Sequence, residues 1–267
     1  LTSPFCFAIN SETLFHNMKL LSLDKSLQVL EQLIKNPQGL SLLELATTLG
    51  YPKSTIHHML STFLPYDYVT QDPESRKYRL GFKYLSISKI ILDNIDIRMI
   101  AHKHLRELHQ KCNEAVHLYI LQNGYLVCVD KIQEPVGGLS LATYIGFRTD
   151  PHAAASGKVL LSELSREAIK NMYKDRPLRV YGKNAITSFA QLMKELENVR
   201  KLGYAIDNEE YYEGARCVAA PVRAGGRIQA AVSVTGSIFT MTMDRINREL
   251  VGLVTETAKA ISSEMIW

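Results

Sequence analysis

Between residues 50 and 64 the chain reads Gly-Tyr-Pro-Lys-Ser-Thr-Ile-His-His-Met-Leu-Ser-Thr-Phe-Leu, and its apolar positions recur with helical spacing. Ile56, Met59, Leu60 and Phe63 fall on one face and predict a short helix that packs inward along it. Lys53, Ser54, His57 and Ser61 then point outward, with no carboxylate among them. Gly50 predicts the end of the element before, Pro52 the first helical position and Pro65 a stop. Upstream, residues 41–49 form a second short helical pattern, with Leu42, Leu45, Ala46 and Leu49 apolar. Ser41 at its start and Glu44 three residues on have the capping-box spacing. Two such helices joined through a glycine turn are the helix-turn-helix pattern, which needs a third helix to cover its apolar faces. Residues 23–35 supply one, with Leu27, Leu30, Leu33 and Ile34 expected inside. Residues 66–70, 71–75 and 76–80 then read as strand, turn and strand. This predicts a β-hairpin wing whose second strand carries Arg76, Lys77 and Arg79, cations able to neutralise phosphates beside a groove.

Residues 82–97 lack Pro and Gly and predict one continuous helix. Its apolar residues, Phe82, Leu85, Ile87, Ile90, Ile91 and Ile95, lie on more than one side, which points to burial against a partner chain as well. A further helix spans 98–111. His102, His104 and His109 lie on it at spacings that suit solvated surface positions better than a metal pair, which wants one face. From residue 115 the period switches to two. Segments 115–121 and 125–132, joined through Asn123-Gly124, predict a hairpin, and 138–145 a third strand. Small residues over 146–158 feed a helix at 159–164, with Lys158 as a nearby positive charge. The spacing of a phosphate-binding P-loop is missing there. Helices at 165–173 and 188–202 start at Ser165 and Ser188, the second stopped by Gly203. Segments 204–210, 214–222 and 228–235 and a final helix at 243–265, with Ile246, Leu250, Val254 and Ile261 as its buried stripe, complete the pattern. Six strands among these helices give an antiparallel-rich α+β domain.

Composition changes this picture little. At 267 residues, 46% hydrophobic and 22% charged, the chain is globular and long enough for two domains. A net charge of +4 permits nucleic-acid binding without suggesting it, so local placement carries the case. Cys6, Cys112, Cys128 and Cys217 form no paired motif, so neither a disulfide framework nor a zinc ribbon is expected, and a reducing cytoplasm is. No apolar run approaches the roughly 20 residues that span a bilayer. An enzyme reading would use Cys217 as nucleophile, His117 or His152 as base and Asp207 as orienter. Against it, Cys217 is followed by Val218, Ala219 and Ala220, an apolar strand in which a thiol behaves as a small hydrophobe.

Ser22-Leu23-Asp24-Lys25-Ser26-Leu27, Pro52-Lys53-Ser54-Thr55-Ile56-His57 and Tyr78-Arg79-Leu80-Gly81 resemble the winged-helix signature of the IclR family of bacterial transcriptional regulators. Further matches lie at 152–158, at 203–210 and at 214–221, so the resemblance runs from about residue 20 to the C-terminus. It implies an N-terminal arm (1–19), a winged helix-turn-helix DNA-binding domain (20–81), a linker helix that helps dimerisation (82–97) and a GAF-like effector-binding domain with a mainly antiparallel, curved sheet (98–267). DNA contacts are expected from Ser41, Lys53, Ser54, Thr55, His57, His58, Arg76, Lys77 and Arg79. His58 stands where family members commonly have Arg, so a permanently charged bidentate donor is replaced by a mostly neutral ring.

A small organic acid needs N–H donors, a few hydroxyls and an apolar wall. Ala155, Ser156, Ser233 and Thr235 supply donors, Leu141, Thr149, Ala215 and Cys217 wall, and Asp207 an acceptor. These positions match those lining the effector cavity in the family, with Ala155 and Ala215 where relatives carry different residues. Glu209, Glu210 and Arg216 read equally as an ion-pair group beside that cavity. The implied partners are double-stranded operator DNA, a small-molecule effector and a second copy in a homodimer or a dimer of dimers. No cofactor, metal or membrane is implied. The alternative is a sensor module acting through protein partners without regulated DNA binding.

Overall fold

The computed structural model describes residues 20–93, 95–133 and 143–265. The 1–19 arm, Cys6, Leu141 and most of the expected 138–145 strand lie outside them. The chain divides into two compact units between Ile91 and Leu92.

In the first unit, helices α1 (Leu21–Lys35), α2 (Leu42–Leu49) and α3 (Lys53–Phe63) enclose a core of Val29, Leu33, Leu45, Ala46, Ile56 and Leu60. Ser41 closes the capping box on α2: its hydroxyl accepts the Glu44 N–H at 3.2 Å, and the Glu44 carboxylate accepts the Ser41 N–H at 2.7 Å. Gly50 ends α2 in the left-handed region at φ 68°. Pro52 caps α3 from outside rather than occupying its first turn, and α3 ends one residue before a 3-10 turn, Leu64–Tyr66, that contains Pro65. The buried stripe of α1 differs from expectation. Val29 and Leu33 are inside, while Leu27 and Ile34 are 52% and 49% exposed. Leucines occupy several sides of α1, so periodicity alone left its phase ambiguous.

The wing is a short antiparallel pair, β1 (Val69–Gln71) and β2 (Tyr78–Leu80). Arg76 and Lys77 precede β2 instead of lying on it. Asp72 accepts the Ser75 N–H and hydroxyl, and Arg76 takes a left-handed backbone, φ 58°, so the turn consumes residues expected in the strand. Helix α4 (Lys83–Asp93) follows, with Phe82, Leu85, Ile90 and Ile91 each more than half exposed. It does not run on to residue 97. Helix α5 (Asp96–Cys112) starts anew after Ile95. The Asp93-Asn94-Ile95-Asp96 sequence explains the break: Asp and Asn weaken a helix interior, whereas Asp96 suits a first turn.

The second unit is built on one antiparallel six-stranded, curved sheet in the order β5-β4-β3-β8-β7-β6. The strands are β3 (Ala115–Gln122), β4 (Tyr125–Ile132), β5 (Arg148–Thr149), β6 (Ala205–Asn208), β7 (Ala215–Ala224) and β8 (Arg227–Ser237). Asn123 and Gly124, both at positive φ, make the tight β3–β4 turn. Of the expected 138–145 strand only 143–145 are described: Thr143 and Tyr144 are irregular and Ile145-Gly146 form a turn, so the next strand among the described residues is β5. Register sorts the side chains into two faces. Val116, Val218, Val232 and Val234 meet α5 and the C-terminal helix, α10 (Val251–Glu264). The last helical region is not uniform, because α9 (Met243–Arg245) passes through a π-helical stretch (Ile246–Leu250) before α10.

Tyr119, Cys128, Ala205, Ala219 and Ala231 face the other way, toward α6 (Ala155–Ser162). Helix α6 begins four residues earlier than expected, directly after a 3-10 turn at Pro151–Ala153. α7 (Arg166–Met172) and α8 (Phe189–Leu202) pack outside it, capped by Ser165 and by a Ser188–Gln191 capping box. Gly157 lets α6 approach this turn, since a Cβ there would overlap the backbone of Pro151. Gly→Ala inside a helix ordinarily gains about 0.5–1 kcal/mol. Here overlap with fixed backbone outweighs that gain, and Gly157→Ala is expected to destabilise the protein by about 2 kcal/mol in chemical denaturation.

Candidate functional site

Two candidate sites emerge, one in each unit. In the first, α3 presents Lys53, Ser54, His57, His58 and Ser61 to solvent, with Thr55 half-buried. No acidic residue occupies the first turn of α3, and no side chain caps its N-terminus. Its first N–H groups and the Lys53 ammonium therefore make an anion-friendly end. On the wing Arg76 and Arg79 are exposed and Lys77 is half-buried. Arg79 is partly committed, its Nε donating to the Gln38 carbonyl at 3.2 Å. The Ser41 hydroxyl is engaged as the α2 cap.

The second site is a cavity between the sheet and the start of α6. Antiparallel register sets Asp207, Cys217 and Thr235 abreast on β6, β7 and β8, and sets Ser233 opposite His117 on β3. Ala154, Ala155 and Ser156 close it from the α6 end, and Thr149 and Ala215 complete the wall. The structure thus brings eight of the nine expected positions together; the ninth, Leu141, lies outside the described residues. The sequence reading missed Tyr119, Thr143, Phe147, Tyr211 and Tyr212, and weighed His117 only as a catalytic base; all six line this cavity. Strand parity offered one signal, because His117 and Tyr119 alternate with core residues Val116 and Leu118. Pairing of β3 with β8 is long-range and left no local trace.

The interior is narrow: the centre of a water-sized sphere has about 40 Å³ in which to move. One water needs roughly 10–15 Å³ on that measure, so the cavity suits a few heavy atoms. Asp207 is buried, and its Oδ1 accepts the Glu210 N–H at 2.7 Å. Burial first, then the Glu210 charge, raises its carboxyl pKa to about 7. Cys217 accepts a hydrogen bond from Thr235 Oγ1 at 3.1 Å, and burial with Asp207 nearby drives its thiol well above the usual range. That disfavours the thiolate a nucleophile needs. His152 does not line the cavity: Nε2–H donates to the Arg179 carbonyl at 3.0 Å and Nδ1 accepts from Tyr173 at 3.3 Å. Of the two bases considered for Cys217, His152 is therefore apart from it, whereas His117 and Asp207 share its cavity. Burial lowers the His117 ring's pKa to about 3, which makes it a poor base.

Lys158 is not a free positive charge beside the cavity. It is 1% exposed and donates to Glu210 at 2.6 Å, Glu195 at 3.0 Å and the Ile206 carbonyl at 2.6 Å. Burial alone would depress its pKa, but the two carboxylates outweigh burial and hold it above the usual value. The expected Glu209–Glu210–Arg216 group is also divided. Glu209 pairs with Lys183 at 2.8 Å, and Arg216 donates to Asn208 Oδ1 at 2.7 Å. The three histidines expected to be solvated are partnered: His102 to Asp130, His104 to Glu264 and His109 to the Glu114 carbonyl. No metal-binding group occurs among the described residues, and Cys112, Cys128 and Cys217 are free thiols. No helix of the described residues is long and apolar enough to cross a membrane.

A winged helix-turn-helix unit followed by an α+β unit holding a cavity is the architecture expected of a DNA-binding regulator. The IclR helix-turn-helix domain pattern matches residues 22–73, and the pattern described as bacterial transcriptional regulator IclR C-terminal matches residues 89–263. The chain belongs to the IclR family of bacterial transcriptional regulators. It is 33% identical to the Escherichia coli HTH-type transcriptional regulator XynR over 80% of this chain and 85% of that one. Its identity to E. coli KdgR is 31%, over 88% and 89% of the two chains. The Thermotoga maritima IclR crystal structure superposes with a TM-score of 0.76 at 29% identity, covering 92% of this chain and 99% of that one.

The raised Asp207 carboxyl makes stability depend on pH. The folded chain holds this proton up to about pH 7, whereas an unfolded Asp releases it near 3.8. The contribution is therefore present at low pH and lost as pH rises toward 7. Between about pH 5.5 and pH 8, wild type should lose about 2 kcal/mol relative to Asp207→Asn, measured by denaturant titration at each pH.

Proposed function

We propose that this protein is a ligand-responsive, DNA-binding transcriptional regulator whose operator affinity is modulated by a small organic acid. The observation that carries the DNA half is the outward face of α3: Lys53, Ser54, His57 and His58 exposed, with no acid in the first turn. Such a face suits phosphates and base edges in a major groove, and Arg76, Lys77 and Arg79 suit the flanking backbone. A homodimer, or a dimer of dimers, would read a pseudo-palindromic operator with two such heads. Membership of a family of bacterial DNA-binding regulators supports a cytoplasmic location.

The cavity supports the effector half. Hydroxyls of Ser156, Ser233 and Thr235 and the uncapped N–H groups at the start of α6 can hold a carboxylate, while Tyr119 and Phe147 supply apolar wall. Ligand binding would bias two arrangements of the DNA-binding heads by its difference in affinity for them, typically worth about 1–3 kcal/mol. A Cys217 thiol held protonated by burial, with a His117 ring whose basicity burial suppresses, favours a binding role over catalysis.

The test is a fluorescence-anisotropy titration against salt with DNA from upstream of the protein's own gene. Lys53→Ala and Arg76→Ala should each weaken binding and lower the salt slope by about one. Unchanged slopes would remove those contacts from the interface, and no binding by wild type would favour a sensor acting through protein partners.

A further inference from the structure

The cavity has a second polar end that the family motifs do not cover. His117 leaves β3 on the cavity face and is 1% exposed. Its Nε2 lies 3.1 Å from Thr143 Oγ1, whereas Nδ1 has no hydrogen-bond partner among the described residues. A buried ring nitrogen left this way forfeits the hydrogen bond it would make in water, and a guest that supplies a partner recovers it. Burial, with Lys131 nearby, pushes the ring's pKa down to about 3, so it is neutral near pH 7, with one nitrogen donating and one accepting.

Among the described residues no cation is available there to balance a second negative charge. Lys131, opposite His117 in the β3–β4 register, sends its ammonium to the Thr143 carbonyl at 2.7 Å. Lys158 is saturated by its three acceptors. Asp207 stands at the other side of the floor, three strands away in the order β3-β8-β7-β6, with the Ser233 and Thr235 hydroxyls between.

We propose that His117 is a specificity-determining residue of this cavity, pairing its Nδ1 with an uncharged hydroxyl on a small hydroxy-monocarboxylic acid. This rests on the small-acid reading given above. The geometry favours a guest with one charged end and one neutral polar end, and disfavours dicarboxylates, whose second charge would meet a neutral ring.

The test is calorimetric titration of the full chain with straight-chain monocarboxylates of two to five carbons. Each is paired with its terminal hydroxy acid and with the dicarboxylate of equal length. At the best chain length, wild type should prefer the hydroxy acid to its parent by about tenfold, and should bind the dicarboxylate more weakly than either. His117→Leu should bring the hydroxy-to-parent ratio to within about twofold, and His117→Asn, which keeps a donor and an acceptor, should retain part of it. Should the leucine variant fail to fold by circular dichroism, the ratios of His117→Asn and His117→Phe decide. A preference that survives in the apolar variant, or acids bound by wild type with no hydroxyl preference, overturns the role of His117 and leaves the small-acid reading standing. Absence of binding by every compound overturns both.

Discussion

A buried ammonium must be matched or it unfolds what surrounds it, and Lys158 is matched three times. Its partners come from α8, from the backbone of β6 and from the turn that follows β6. Lys158 itself sits within one turn of Ala155 and Ser156, so the same contacts tie the cavity's roof to its floor. Removing the Lys158 ammonium would leave the buried Glu210 carboxylate without its cation in a low-dielectric interior, a loss well beyond that of a surface pair. The pairing also shapes the cavity's electrostatics. With its positive charge consumed by Glu210 and Glu195, Lys158 offsets only part of the burial and repulsion acting on Asp207. The carboxyl therefore shares its space with hydroxyls and a neutral imidazole, not with a cation.

The sheet separates this chemistry from the core through register. Along β3 and β8, Val116, Leu118, Val232 and Val234 turn toward α5 and α10, and His117, Ser233 and Thr235 turn toward α6. A slip of one residue would exchange the two sets, burying hydroxyls among valines. The apolar face fixes the pairing and so holds the polar row in place. Gly157 adds a second constraint, because it brings α6 against the Pro151 backbone at the distance that lets Ala155 and Ser156 face the strands.

Much of the first unit was legible because its signals are local. The capping box at Ser41, the left-handed Gly50 and the apolar stripe of α3 each depend on residues within one or two helical turns. Leu27 and Ile34 were misplaced because α1 carries leucines on several sides, and only packing against α2 and α3 selects among them. Arg76 falls in the turn and not in the strand because Asp72 accepts from Ser75 and extends the turn, a contact that the basic run after it does not reveal. In the second unit, the Asn123-Gly124 hairpin and the serine caps could be read directly. The grouping of Asp207, Cys217, Ser233 and Thr235 came from family resemblance, since no spacing along the chain implies their contact. Lys158 was read as a free charge because its acceptors lie 37 to 52 residues away. His117 lies outside the motifs; strand parity turns it away from the core, but its place beside Ser233 follows only from the long-range pairing of β3 with β8.

A carboxyl that titrates near neutrality inside this cavity would make hydrogen ions a co-ligand of any guest it takes. Any guest that alters the midpoint of Asp207 must take up or expel part of a proton as it enters. Its heat of association will then include the ionisation enthalpy of the buffer, and acidity and metabolite concentration will act on one thermodynamic coordinate.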